Sequence, residues 1–256
     1  MTAQGRWRAP LIALICVPAL AGPPYRTDDP EPVALDHVEA YAAWMGRRDP
    51  GGGSGTLPWV EANYGVLPDV HLHLGLGRAY LTPVGAPAVR GVSDAEVGVK
   101  VRILHETAFL PQIALYPALE LPTGDPGRGL GAGHTQVNLP VWLQKSWGPW
   151  TTYGGYSWWR NPGAGQRNWT YAGWLLQREL SPALALGAEA FRQTAATVTG
   201  RPSVGGSLGA VVNLSERHHL LFSAGRNLSG DRETHVYLGY QFTAAAPARV
   251  AALFGR

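Results

Sequence analysis

Residues 70–77 run Val-His-Leu-His-Leu-Gly-Leu-Gly, with an aliphatic side chain at every even position and a polar or absent one at every odd position. Successive side chains of a strand point to opposite faces, so this octet carries one apolar face and one polar or open face. The pattern returns about a dozen times down the chain. A strand that crosses a bilayer needs ~9–11 residues of such alternation and a closed barrel around it, because lipid offers no partner to a free backbone group. A soluble sandwich also alternates, but it does not usually need so many segments of this length.

Twelve strands are predicted: 37–45, 58–66, 70–80, 94–104, 112–121, 134–145, 150–159, 168–178, 184–193, 204–214, 218–225 and 234–242. Connections after even-numbered strands are mostly short, as at Leu67-Pro68-Asp69 and Trp147-Gly148-Pro149, with His105–Pro111 a little longer. Those after odd-numbered strands are longer and rich in turn formers: Arg47–Leu57, Leu81–Ser93 and Pro122–Gly133. Short–long alternation is the signature of an up-and-down outer-membrane barrel, with short periplasmic turns and longer outer loops. It predicts an all-β, antiparallel transmembrane β-barrel with both termini in the periplasm of a Gram-negative bacterium. The barrel is expected over residues 37–242, after an extended segment at 22–36 and before a tail at 243–256.

The first 21 residues read as a secretory signal: Arg6 and Arg8, a short apolar run, and small residues before a cleavage between Ala21 and Gly22. The only cysteine, Cys16, lies in that leader, so the mature chain is expected to have no disulfide. Without Arg6 and Arg8 the 21 basic residues exceed the 18 acidic ones by a single charge, and no basic patch with interleaved aromatics is present. Nucleic acid is therefore not an expected partner. Outer-membrane lipid, the barrel-assembly machinery during biogenesis and a small solute are.

Alternation assigns faces. Val70, Leu72, Leu74 and Leu76 form one lipid-facing row, and Ala95, Val97, Val99, Val101 and Ile103 another. The opposite parity gives a lumen lined by Glu61, Asn63, His71, His73, Glu96, Lys100, Arg102, Glu120, His134, Gln136 and Asn138. A basic side chain on the lipid face near the midplane costs ~2–4 kcal/mol, so Lys100 and Arg102 belong inside. In a sandwich the same residues would face bulk water. Trp44, Trp59, Trp147, Trp150, Trp158, Trp159 and Trp169 lie near strand ends and are expected to form aromatic girdles at the bilayer interfaces.

The stretch Gly22-Pro23-Pro24-Tyr25-Arg26-Thr27-Asp28-Asp29-Pro30-Glu31-Pro32 resembles the mature opening of outer-membrane transporters grouped as "MetA-pathway of phenol degradation". Further matches are Glu120-Leu121-Pro122-Thr123-Gly124, Gly131–Gln136, Leu143–Gly155 and Leu175-Leu176-Gln177-Arg178. The resemblance covers nearly all of the mature chain and departs from the pattern in its Ala- and Pro-rich C-terminal extension. It implies an outer-membrane barrel associated with a degradation pathway, without naming a solute.

Asp28, Asp29 and Glu31 admit three readings: a plug entering the lumen and pairing with Lys100, Arg102 or Arg178, a calcium site, or a solvated lead-in held extended by prolines. His71-x-His73 could chelate a metal across one strand face, but no third ligand is fixed by spacing. A membrane-embedded lipid hydrolase needs a nucleophile and base in hydrogen-bond reach. Ser223 and His219, four residues apart on one strand, are ~13 Å apart at ~3.3 Å per residue. The sequence therefore predicts a passive transporter or channel for small, aromatic or hydrophobic solutes, with no cofactor and no catalytic residues. Loops 81–93 and 122–133 would restrict its mouth. The alternatives are a structural or surface-interaction barrel with a closed lumen, and a secreted soluble β-protein.

Overall fold

The computed structural model describes residues 24–247 together with 251 and 253; the expected signal and its Ala21–Gly22 cleavage lie outside them. Among the described residues, strands form one closed antiparallel sheet of 12 members. They are β1 His37–Asp49, β2 Gly52–Leu67, β3 Val70–Pro83, an interrupted β4 (Val89–Val92 and Ala95–Leu104), and an interrupted β5 (Gln112–Leu115 and Ala118–Leu121). There follow β6 Gln136–Trp147, β7 Trp150–Arg160, β8 Trp169–Ser181, β9 Leu184–Gln193, β10 Ser203–Asn213, β11 His218–Ser229 and β12 Thr234–Ala245. Each strand pairs with its sequence neighbours, and β1 closes the ring on β12 from His37↔Ala245 to Arg48↔Thr234. Closure removes the sheet edge and leaves every ladder inside the wall.

The breaks in β4 and β5 have local causes. Pro117 has no N–H to give to a ladder. Around it the wall is held by Tyr116 N donating to Pro140 O at 3.2 Å and Val99 N to Pro117 O at 3.0 Å. In β4 the break falls at Ser93-Asp94, and the two halves pair with opposite ends of β3.

We call the end where the chain enters β1 and leaves β12 the base, and the opposite end the mouth. Base turns are tight, as at Pro68-Asp69, where Asp69 takes a φ of 65°, and at Gly148-Pro149, except for the longer connection at 105–111. The mouth departs from expectation. Arg47–Leu57 is not a loop: β1 and β2 pair through Arg47↔Ser54 and Arg48↔Gly53, leaving only Pro50-Gly51 as the turn. Glycine and serine there read as loop formers, yet a ladder needs only their backbone groups. Likewise β3 runs on to Pro83 and pairs with Val89–Val92, shortening the expected 81–93 loop. The sixth strand starts at Gln136, which leaves His134 in the preceding loop, and β12 runs three residues past its expected end at 242.

The outer face is the aliphatic parity. Leu74 is 55% exposed and Leu208 71%, with Leu76, Ile103, Leu139 and Leu186 alike outward. An apolar band of this kind suits hydrocarbon and not water. The substitution Leu74→Arg is expected to lower the stability of the lipid-embedded barrel by ~2–4 kcal/mol, read from urea unfolding in vesicles. Leu74→Ile should lie close to wild type.

Candidate functional site: a lumen crossed by an N-terminal strap

Residues 24–33 lie inside the barrel. From Asp36, with a φ of 56°, the chain passes back into the lumen as a strap, and Thr27, Pro24 and Pro30 are fully buried there. Four inward glycines make room for it: a Cβ at Gly173 would run into Thr27, one at Gly187 or Gly209 into Tyr25, and one at Gly65 into the Ala34 backbone. Such close backbone approach is a position only glycine fills.

The acidic residues of the strap meet wall cations. Lys100 Nζ, on β4, lies 3.1 Å from Asp28 Oδ2 and 3.6 Å from Asp29 Oδ1, donates to the Asp29 carbonyl at 2.9 Å, and sits 5.0 Å from the Tyr116 ring centroid. Arg102 donates to Glu31 at 2.7 Å and to Gln112 at 3.2 Å, while its Nε and Nη2 hold Asp69 of the β2–β3 turn at 2.8 and 2.5 Å. Burial works against ionisation of Asp69, but the hydrogen bonds and charges of Arg102 and His105 outweigh it and hold that carboxyl below its ordinary range. Gln112 closes the group by donating to Glu31 at 2.7 Å. Arg178 plays no part: it lies over the Trp150 ring, 5.1 Å from its centroid.

A second anchor was not foreseen. Glu189, 5% exposed on β9, accepts from Thr27 N and Thr27 Oγ1 at 2.6 Å each, from Tyr171 at 2.8 Å and from Ser207 at 2.5 Å. Arg26 donates to Gln193 at 2.5 Å and stacks over Phe191 and Tyr171. Parity contained the signal, since Glu189 is the one carboxylate on the inward row Ala185-Gly187-Glu189-Phe191-Gln193.

The other predicted lining residues divide. Glu61, Asn63, His71, His73, Glu96, Glu120 and Gln136 border a cavity of about 1290 Å³. Its lining includes Tyr80, Leu130 and Asn161 towards the mouth and Ser146, Pro149 and Glu179 towards the base. His73 Nδ1 meets Asn63 Oδ1 at 2.8 Å, and its Nε2 lies 3.3 Å from Glu96. His71 Nδ1 accepts from Val33 N at 3.0 Å, so the two histidines do not share a ligand position. Among the described residues no cluster of His, Cys, Asp and Glu suits a metal ion. Asn138 accepts from Ser157 in the wall, and His134 meets Asn161 at 3.3 Å in the mouth loops.

The tryptophans also divide. Trp44, hydrogen-bonded to Tyr80 at 2.8 Å, and Trp147, Trp150 and Trp158 share the outward parity or a base turn. Trp59, Trp159 and Trp169 instead line the cavity, which corrects their expected place in a girdle. Trp59 donates to Glu61 at 3.2 Å, and Trp159 stacks on Trp169 with centroids 4.9 Å apart. Their inward parity explains it: nearness to a strand end fixes height in the wall and not the face. At the mouth, the 122–135 loop folds down onto Asp94, whose carboxylate accepts from Gly124 N at 2.9 Å and Ala132 N at 2.6 Å, and Leu130 is buried beneath it. The Ser223–His219 pair is not assembled: Ser223 donates to the Pro24 carbonyl and His219 meets Asn213.

A closed antiparallel barrel with an apolar exterior and a polar, strap-crossed interior is the fold of an outer-membrane β-barrel. No family model matches the chain, and no curated protein matches it. Solved structures do. The COG4313 outer membrane channel from Pseudomonas putida F1 superposes with a TM-score of 0.67 at 16% identity, over 84% of this chain and 98% of that one. The NanC porin gives 0.54 at 7% identity, over 79% and 98%. The translocator domain of the autotransporter NalP from Neisseria meningitidis gives 0.51 at 16% identity, over 81% and 90%.

Proposed function

We propose that this protein is an outer-membrane channel that passes small solutes through a lumen narrowed by its own N-terminal strap. The observation that carries this reading is the cavity of about 1290 Å³, bordered by residues from mouth to base beside the strap. The similarity to the COG4313 channel and the NanC porin supports it at the level of a barrel channel. Trp59, Tyr116 and the stacked Trp159 and Trp169 give the lining flat apolar surfaces. Together with the resemblance to the phenol-pathway transporters, these favour small aromatic solutes that carry a polar group. A barrel of this size is narrower than the 16–18-stranded porins, so a wide aqueous pore does not fit.

Purified, refolded protein in planar bilayers is expected to give discrete single-channel steps, and vesicles containing it should take up simple phenols faster than empty vesicles. Absence of both would favour the second reading, a closed structural barrel, which the buried strap ion pairs favour. We further place the base in the periplasm. In intact cells a membrane-impermeant maleimide should label Gly127→Cys in the mouth loop and spare Ser215→Cys in a base turn; the reverse pattern would invert the barrel.

A further inference from the structure

Register brings three carboxylates into one row. Glu61 on β2 is paired with Gly75 on β3, Gly75 with Glu96 on β4, and Glu96 with Glu120 on β5. The row continues into Gln136 on β6. All of these except Gly75 border the cavity, and Gly75 is covered by the Trp59 ring, which borders it too. Glu96 and Glu120 stand directly opposite each other, an arrangement of like charges that weakens a sheet unless a cation offsets it.

The wall supplies little to offset it. The cavity is bordered by eleven carboxylates and only three Lys or Arg side chains, among the described residues. Lys100 is already held by Asp28 and Asp29. Between Glu61 and Glu96 stands His73, 6% exposed. Its Nε2 lies 3.3 Å from Glu96 Oε1 and its Nδ1 3.6 Å from Glu61 Oε1, so a single imidazole stands against two of the three carboxylates, and among the described residues no ion pair reaches Glu120. Charges of one sign lining a narrow passage with low-dielectric walls concentrate ions of the other sign.

We propose that the conduit is selective for small cations, and that the row Glu61, Glu96 and Glu120 is its filter. The Trp59 face beside that row would favour organic cations with a flat apolar body over hydrated metal ions, since an aromatic face attracts a desolvated cation. This inference rests on the channel reading and narrows its solutes to cations.

Reversal potentials across a KCl gradient test it, using the full chain refolded in planar bilayers. The wild type is expected to pass K⁺ over Cl⁻ with a permeability ratio on the order of ten. Glu61→Gln, Glu96→Gln and Glu120→Gln together should bring the ratio close to one. Benzylammonium added to one side should block K⁺ current in the wild type and not in the triple variant. A conducting wild type with no cation preference would overturn the inference and leave the channel reading standing. If there is no conductance, the channel reading fails and quenching of Trp59 fluorescence decides the filter. The Trp59-dependent signal, taken as the difference from Trp59→Phe, should be quenched by Cs⁺ more than by iodide, and the triple variant should reverse that order. Equal quenching by both ions would overturn the inference as well.

Discussion

Deletion of residues 24–34 is expected to raise single-channel conductance several-fold. The expectation follows from placement: the strap crosses the lumen from Gly65 on one wall, past Lys100, to Tyr171 and Ser223 on the other. The wall does not need it for closure, because β1 and β12 pair along twelve residues that the deletion leaves untouched. What the deletion does leave is buried charge, chiefly Lys100 and Glu189. The variant is therefore best made with Lys100→Met and Glu189→Gln, which remove the two stranded ions. Planar-bilayer recordings at fixed salt give the readout. An unchanged conductance would mean that the strap lies beside the conducting path and does not narrow it. A milder form, Asp28→Asn with Asp29→Asn and Glu31→Gln, should give a smaller increase with more frequent switching between levels, since Thr27 would still hold Glu189.

Lys100→Met alone should cost ~3–5 kcal/mol of stability, the usual penalty for removing one partner of a buried ion pair and stranding the other. The ammonium is 5% exposed and offsets two carboxylates as well as satisfying the Asp29 carbonyl. Methionine keeps the length and volume of the stem, so lost packing contributes little. Adding Asp28→Asn and Asp29→Asn should restore most of the loss. Urea unfolding of refolded barrels in vesicles would check both. A Lys100→Met variant as stable as wild type would show that water reaches this group freely.

The strands were legible because a period of two is a local property. Twelve segments could be read without knowing which of them pair, and parity alone turned Lys100, Glu96 and Glu120 inward. The first hairpin was misread for the same local reason: Gly52–Gly55 has turn composition, but its pairing to β1 is decided by the ladder on either side. The strap shows where local information stops. Three acids between prolines suggest a plug among other readings; parity turns Lys100 and Arg102 inward, whereas Arg178 falls on the outward row with Ala172, Trp174 and Leu176. Only the fold decides among those readings, since Asp28 and Lys100 are 72 residues apart. Glu189 was missed although its parity was plain, because its partner Thr27 is not a charge. The misplaced tryptophans are a failure of a different kind. Trp59 shares its parity with Glu61 and Asn63, so its face is legible in the sequence, whereas position along the strand fixes only its height in the wall.

The strap is at once an obstacle and a structural member. The contacts that narrow the lumen at Lys100, Arg102 and Glu189 are also the contacts that keep those ions from being buried alone. Bore and stability are thus tied together residue by residue. A single substitution that widens the passage leaves an unmatched charge on the opposite side, and a single substitution on the wall loosens the strap without removing it. Drift towards a wider channel must therefore pass through paired changes, one on residues 24–34 and one on the wall. Among barrels of this architecture, loss of the strap acids and loss of the inward Lys and Arg should occur together.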